Sequence, residues 1–151
     1  MTITRELIVA EARSWIGTPY RHQARAKGVA VDCVGVGIGC ARALGLVAPD
    51  FDVTGYTRQP DGRTLIAECD RYMTRIDTAE MGHGDAVAVR FDSGPQHFGI
   101  LVPYRHGGLA MVHAASKYSK VIETRLLFGA SPLSMKLVAA YRFPGIDAWP
   151  N

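Results

Sequence analysis

Apolar and polar positions follow two different periods along this chain, and the change falls at Gly82-His83-Gly84-Asp85. Before that point apolar residues recur at helical spacing. Leu7, Ala10, Ser14 and Trp15 form one such set, with Arg5, Glu6, Glu11 and Arg13 on the wet side, so a first helix is predicted from an N-cap at Thr4 to about Trp15. Gly17-Thr18-Pro19-Tyr20 stops it, and a polar loop is expected to Ala30. The run from Asp32 to Gly45 reads as a second helix, with Asp32 as N-cap and Gly45 just past its end. Gly35, Gly37 and Gly39 lie inside it, and each costs about 1 kcal/mol against alanine. Such a helix is expected to be central, buried and pressed against another backbone. Residues 46–60 read as an ordered surface connection. Asp61 then caps a third helix with Leu65, Ile66, Cys69, Tyr72 and Met73 on its apolar face.

Beyond Asp85 the runs are short and β-rich: Ala86–Phe91, Phe98–Val102, Leu109–Ala114, Val121–Leu126 and Leu137–Phe143. Ser93-Gly94-Pro95, His106-Gly107-Gly108 and Ala115–Ser119 mark turns between them. Helices followed by strands, without alternation, predict an α+β domain with a roughly five-stranded antiparallel sheet. The 151 residues fit one domain, 1–151, with its core at about 4–143 and a surface tail beyond Pro144.

Composition narrows the function classes. No apolar run reaches the ~20 residues of a membrane span, so no membrane partner is expected. Seventeen Lys and Arg against fourteen Asp and Glu give a net charge of +3, too small and too dispersed for a nucleic-acid surface. The local basic run Arg21–Lys27 reads as a solvated loop. Charges interrupt the first residues before a secretory signal can form, so synthesis in the cytoplasm without export is expected. Cys33, Cys40 and Cys69 are too few for a disulfide framework and are read as thiols.

Cys33 alone among the three follows a predicted N-cap, where helix N–H groups lower a thiol pKa. It is either a nucleophile or a buried thiol. Cys40 and Cys69 read as packing residues. A partner base would be a histidine. His97 opens one predicted strand and His113 ends the next. A hairpin around Arg105–Gly108 brings them within a few positions, as base and orienting group or as two polar strand ends. His22, His83 and His106 fall in loops. No His-Glu-x-x-His or Cys-x-x-Cys spacing supports a metal, and neither a dinucleotide cradle nor a Gly-x-Ser-x-Gly elbow is present, so no cofactor is expected.

Trp15-Ile16-Gly17-Thr18-Pro19-Tyr20, Asp32-Cys33-Val34-Gly35, Gly84-Asp85, His97-Phe98-Gly99-Ile100 and Val112-His113-Ala114 together resemble the NlpC-type cell-wall cysteine peptidases, over about residues 10–143. The resemblance implies a papain-like α+β fold. It implies Cys33 as nucleophile, His97 as general base and His113 as the residue that orients it. Tyr20 would stand near the oxyanion, or pack after its turn. Asp32 would recognise a substrate amine as well as cap its helix. The implied activity is hydrolysis of amide bonds in peptidoglycan stem peptides, between D-glutamate and a diamino acid. Val34 departs from the family's usual serine, which puts the usual peptide preference in question. Delivery in a phage tail, alongside other tail proteins, would reconcile a wall substrate with the absent export signal. The rival expectations are a non-catalytic wall-binding or tail-tip module and a thioester-forming acyltransferase or lipid-amide enzyme.

Overall fold

Side-chain caps start the helices where the sequence places them. In the computed structural model, which describes residues 2–58, 61–91, 96–126 and 135–146, Thr4 Oγ1 accepts the N–H of Leu7 at 3.3 Å ahead of α1, Arg5–Ser14. Asp32 accepts the N–H of Gly35 at 2.8 Å and opens α2, Cys33–Ala43, and Gly45 follows its end at φ +70°. Asp61 accepts the N–H groups of Arg63 and Thr64, each at 2.8 Å, just before α3, Thr64–Tyr72.

The face that α1 buries differs from the expected one. Arg5, Ile8, Val9 and Ala12 are buried, followed by Trp15, whereas Ala10 and Ser14 are exposed. Ile8 and Val9 carry more apolar surface than Ala10 and Ser14, and burial follows area. Arg5, expected on the wet side, goes inside because Asp85 awaits it at 3.1 Å.

Six strands form one antiparallel sheet in the order β3-β8-β4-β5-β6-β7. These are β3 (Thr74–Ile76), β4 (Ala86–Phe91), β5 (Gln96–Pro103), β6 (Leu109–Ala115), β7 (Lys120–Arg125) and β8 (Met135–Arg142). The strand beyond the expected five is β3, which leaves α3 and pairs with β8. Three residues are too few to display a period of two. A second, small sheet of β1 (Arg25–Ala26) and β2 (Ala30–Val31) lies within the segment expected as loop. The expected turn at Ser93-Gly94-Pro95, the positions Gln59-Pro60 and the tail after Ile146 lie outside the described residues.

Strand alternation divides the core. Ile100, Val102, Val112 and Phe98 face α1 and α2 in the larger cluster, while Val87, Val89, Leu101 and Met111 fill the other side. Helix α2 is central, as its glycines imply. A Cβ on Gly37 would stand 2.6 Å from the Phe98 ring, and one on Gly39 would stand 2.1 Å from Trp15. At Gly35 it would meet the Ala24 carbonyl at 2.8 Å. Two of the three close approaches are therefore to aromatic rings, and only Gly35 meets the backbone that was expected.

One feature of the register positions the site. β5 pairs with β4 over Gln96–Ile100, but with β6 only from Ile100↔Val112 to Pro103↔Leu109. Residues 96–99 lack a β6 partner, and a gap opens there beside the start of α2.

Candidate active site

Cys33 is half-buried at the first position of α2. The N–H and C=O of Leu101 face the β4 side, through bonds of 2.8 Å to Asp85 and Gly84. By alternation the N–H of Phe98 therefore points into the β5/β6 gap. There it faces the Cys33 sulfur, together with the N–H groups of Cys33 and Val34. The helix start alone would favour a thiolate. Burial outweighs it, with the Asp32 charge acting in the same direction, and the thiol is pushed up to about 11. The expectation of a depressed Cys33 pKa is thus corrected, and Cys33 rests as a neutral thiol.

Tyr20 reaches the site through its backbone. Its N–H bonds the Ser119 carbonyl at 2.8 Å, and the Pro19 carbonyl accepts the N–H of Val31 at 2.9 Å. Burial, then Cys33 and Asp32 nearby, raise its phenol above the ordinary value, so it is a neutral O–H donor at neutral pH.

Asp32 is 2% exposed and its carboxylate is fully used. Oδ1 accepts from Gly35 N and Arg25 Nη1, both at 2.8 Å, and Oδ2 accepts from Gln23 N at 2.8 Å and the Tyr56 hydroxyl at 2.5 Å. Arg25 continues to Asp52 at 2.9 Å and to the Val53 carbonyl at 3.1 Å. Gln23 Nε2 holds the carbonyls of Thr54 and Tyr56 at 2.7 and 3.0 Å. The basic run is thus no solvated loop throughout: Arg25 and Gln23 tie residues 52–56 to the start of α2. Four donors inside the protein surround the carboxylate that was expected to meet a substrate amine.

The hairpin brings the two histidines together. His97 Nε2 and His113 Nδ1 are 2.7 Å apart, and His113 Nε2 lies 2.9 Å from Thr124 Oγ1. Both rings lie near Phe91, with centroids 5.6 and 6.5 Å away. Burial lowers both, to about 3 for His97, where the neighbouring His113 adds to the effect, and to about 4 for His113. Both are neutral at pH 7. His113 shares its strand face with Met111, on the side of the sheet away from α2. By the same alternation His97 shares that side, whereas its neighbour Phe98 faces α2, and among the described residues no hydrogen bond joins Cys33 Sγ to either histidine. His22, His83 and His106 stand elsewhere: His22 against Tyr56, His83 beside Glu6, His106 against Tyr104.

Cys33 opens onto a cavity of about 170 Å³ between α2, α3 and residues 46–58 and 61–62 of the connection. Gly37, Ile38, Leu65, Phe98 and Phe143 give it an apolar wall, and Tyr20, Asp32, Val34 and Gln96 join Cys33 in its lining. Three contributors escaped the sequence reading. Arg25 was hidden in a basic run, Tyr56 in a loop, and Gln96 stood one residue before His97, where alternation sends it to the opposite side of the strand. Among the described residues no cluster of three or more His, Cys, Asp and Glu could hold a metal ion.

The architecture is that of a mixed α+β protein whose N-terminal helices cover one side of an antiparallel sheet. The sequence matches no protein-family model and no curated protein. The backbone is similar to two crystal structures of an N-acetylmuramoyl-L-alanine amidase from Bacteroides uniformis ATCC 8492, at 1.07 and 1.15 Å resolution. The TM-score is 0.53 with each, the identity 10% and 11%, and the alignments cover 91% of this chain and 97% and 98% of theirs. At that identity the likeness is one of fold.

Proposed function

We propose that this protein is a cysteine hydrolase of the bacterial cell wall, cutting amide bonds in peptidoglycan stem peptides on a papain-like, NlpC-type scaffold. The observation that carries the reading is the Cys33 thiol lodged in the β5/β6 gap, met there by the N–H of the residue next to His97. The fold likeness to a peptidoglycan amidase supports the substrate class. The bond between D-glutamate and a diamino acid is the one that the sequence resemblance favours, and carriage on a phage tail supplies access to the wall.

Because thiol and imidazoles rest neutral, the proton moves during attack rather than before it. Cys33 Sγ bonds to the substrate carbonyl carbon as the thiol proton passes through one water, across the β5/β6 gap, to His97 Nδ1. The Tyr20 hydroxyl and backbone N–H groups at the start of α2 stabilise the oxyanion. His97 then gives its proton to the leaving nitrogen, the C–N bond breaks and a thioester remains. Water attacks the thioester as His97 takes one of its protons. The C–S bond breaks, and that proton returns to the thiol.

A single tautomer set serves this sequence. For Nδ1 of His97 to accept, its hydrogen must sit on Nε2 and be donated to His113 Nδ1. The hydrogen of His113 then sits on Nε2 and is donated to Thr124 Oγ1. His113 thereby orients the base, and Thr124 orients His113.

The apolar wall of the cavity favours a second reading, transfer of an apolar acyl group through the same thioester. One experiment separates the two: purified sacculi are digested with the native protein and with Cys33→Ala, and products are read by mass spectrometry. Release of new amino groups by the native protein alone is expected. Release by both proteins, or by neither, would overturn the wall-hydrolase reading, and turnover of acyl esters with inert sacculi would select the second.

A further inference from the structure

Gln96 stands where the strand of the base meets the cavity of the nucleophile. It opens β5 opposite Arg90 of β4, and alternation sends its side chain to the side of Phe98, so that it lines the cavity beside Cys33. Only 7% of the residue is exposed, and its side-chain Oε1 is buried without a hydrogen-bond partner among the described residues. A buried carbonyl left unpaired is destabilising, and native interiors hold few of them. Packing does not account for it, since a leucine would fill a similar space with no acceptor to satisfy. The missing partner is a donor that arrives from outside.

We infer that Gln96 is a substrate-binding residue whose Oε1 accepts an N–H of the substrate held at Cys33. This assignment rests on the cysteine-hydrolase reading above and deepens it. The site selects the chemical class of its substrate by demanding an N–H beside the carbonyl under attack, so amides are preferred over the matching esters. A site built to receive an N–H rejects the analogue that lacks it, because its own buried acceptor is then left unpaired.

The test uses the intact protein and a matched pair of substrates, a wall-peptide amide and the ester in which oxygen replaces the scissile N–H. kcat/KM is measured for both with the native protein, Gln96→Leu and Cys33→Ala, and thermal midpoints are recorded. Gln96→Leu is expected to lower kcat/KM on the amide by about 10- to 100-fold and to leave the ester within about threefold. Its midpoint should stay at or above the native one, because the unpaired acceptor is gone, an outcome that a purely structural glutamine would not give. Gln96→Met serves in its place should the leucine variant not fold. Cys33-dependent turnover with an unchanged amide-to-ester ratio in the variant would overturn the assignment of Gln96 alone. Undiminished turnover in Cys33→Ala, or none by the native protein on either substrate, would overturn the cysteine-hydrolase reading and Gln96 with it.

Discussion

Asp32 and Asp85 are both buried carboxylates held by arginine, and they lie at opposite ends of what a buried charge can do. Asp85 is 0% exposed and clamped between elements. Arg142 of β8 reaches it with Nε at 2.9 Å and Nη2 at 3.1 Å, Arg5 of α1 reaches it at 3.1 Å, and Gly82 N adds a bond at 3.0 Å. Among the described residues no nucleophile is bonded to it. Gly84 shows how tight the junction is, since at φ +86° a Cβ would lie 2.9 Å from Arg5 Cβ. Asp32 is bonded as completely, yet it adjoins Cys33 and lines the cavity. Burial and ion pairing therefore do not distinguish a scaffold from a site. The neighbours do: a thiol, an open volume and a buried acceptor with nothing to accept.

The largest effect that would sharpen this contrast falls on the histidine that the proposal makes a base. His97→Ala should lower turnover of wall peptide by about 10²- to 10⁴-fold while circular dichroism and the thermal midpoint report a native fold. Equal activity in that variant would leave the two aspartate regions with no functional difference.

Next in size is Asp85→Ala, which removes the carboxylate and leaves Arg5 buried. It should cost about 3–5 kcal/mol in urea unfolding, with activity per folded molecule unchanged. Asp32→Ala should lose stability and activity together, because it frees the 52–56 connection and the start of α2 at once. If both variants lost activity only in proportion to folded protein, the comparison would collapse.

The histidines predict a pH dependence. Their folded pKa values lie below those of the unfolded chain, so the unfolded state binds more protons as pH falls. Stability is full above about 6.5, the ordinary histidine value. It should decline from there through about 4 and about 3, where the folded state begins to protonate. The slope approaches 1.4 kcal/mol per pH unit for each histidine, and His113→Asn should flatten it in acid titrations followed by fluorescence.

The smallest effect concerns orientation. Thr124→Val removes one acceptor from the relay and should lower kcat about 2- to 10-fold, shifting the acidic limb of the pH–rate profile with little change in KM. An unshifted profile would confine Thr124 to packing.

Much of this could be read in the residues because it is local. As caps, Thr4, Asp32 and Asp61 act within three residues of themselves, and a hairpin joins His97 to His113 by counting along two strands. What escaped depends on distant parts of the chain. The burial of Arg5 on α1 is set by Asp85, some eighty residues away along the sequence. Arg25 and Tyr56 acquire meaning only when residues 52–56 fold back onto α2. The charge state of Cys33 was misjudged because a helix start announces itself in the sequence, whereas the burial that overrides it does not.

Pre-steady-state kinetics with an activated ester of the acyl half of the wall peptide test the central claim most directly. If Cys33 forms the thioester, the leaving group should appear in a burst of one equivalent per protein, followed by slower turnover. The burst should vanish in Cys33→Ala, and acid quenching should trap the acyl group on Cys33 by mass. Turnover that proceeds without a burst and survives the loss of Cys33 would contradict the account.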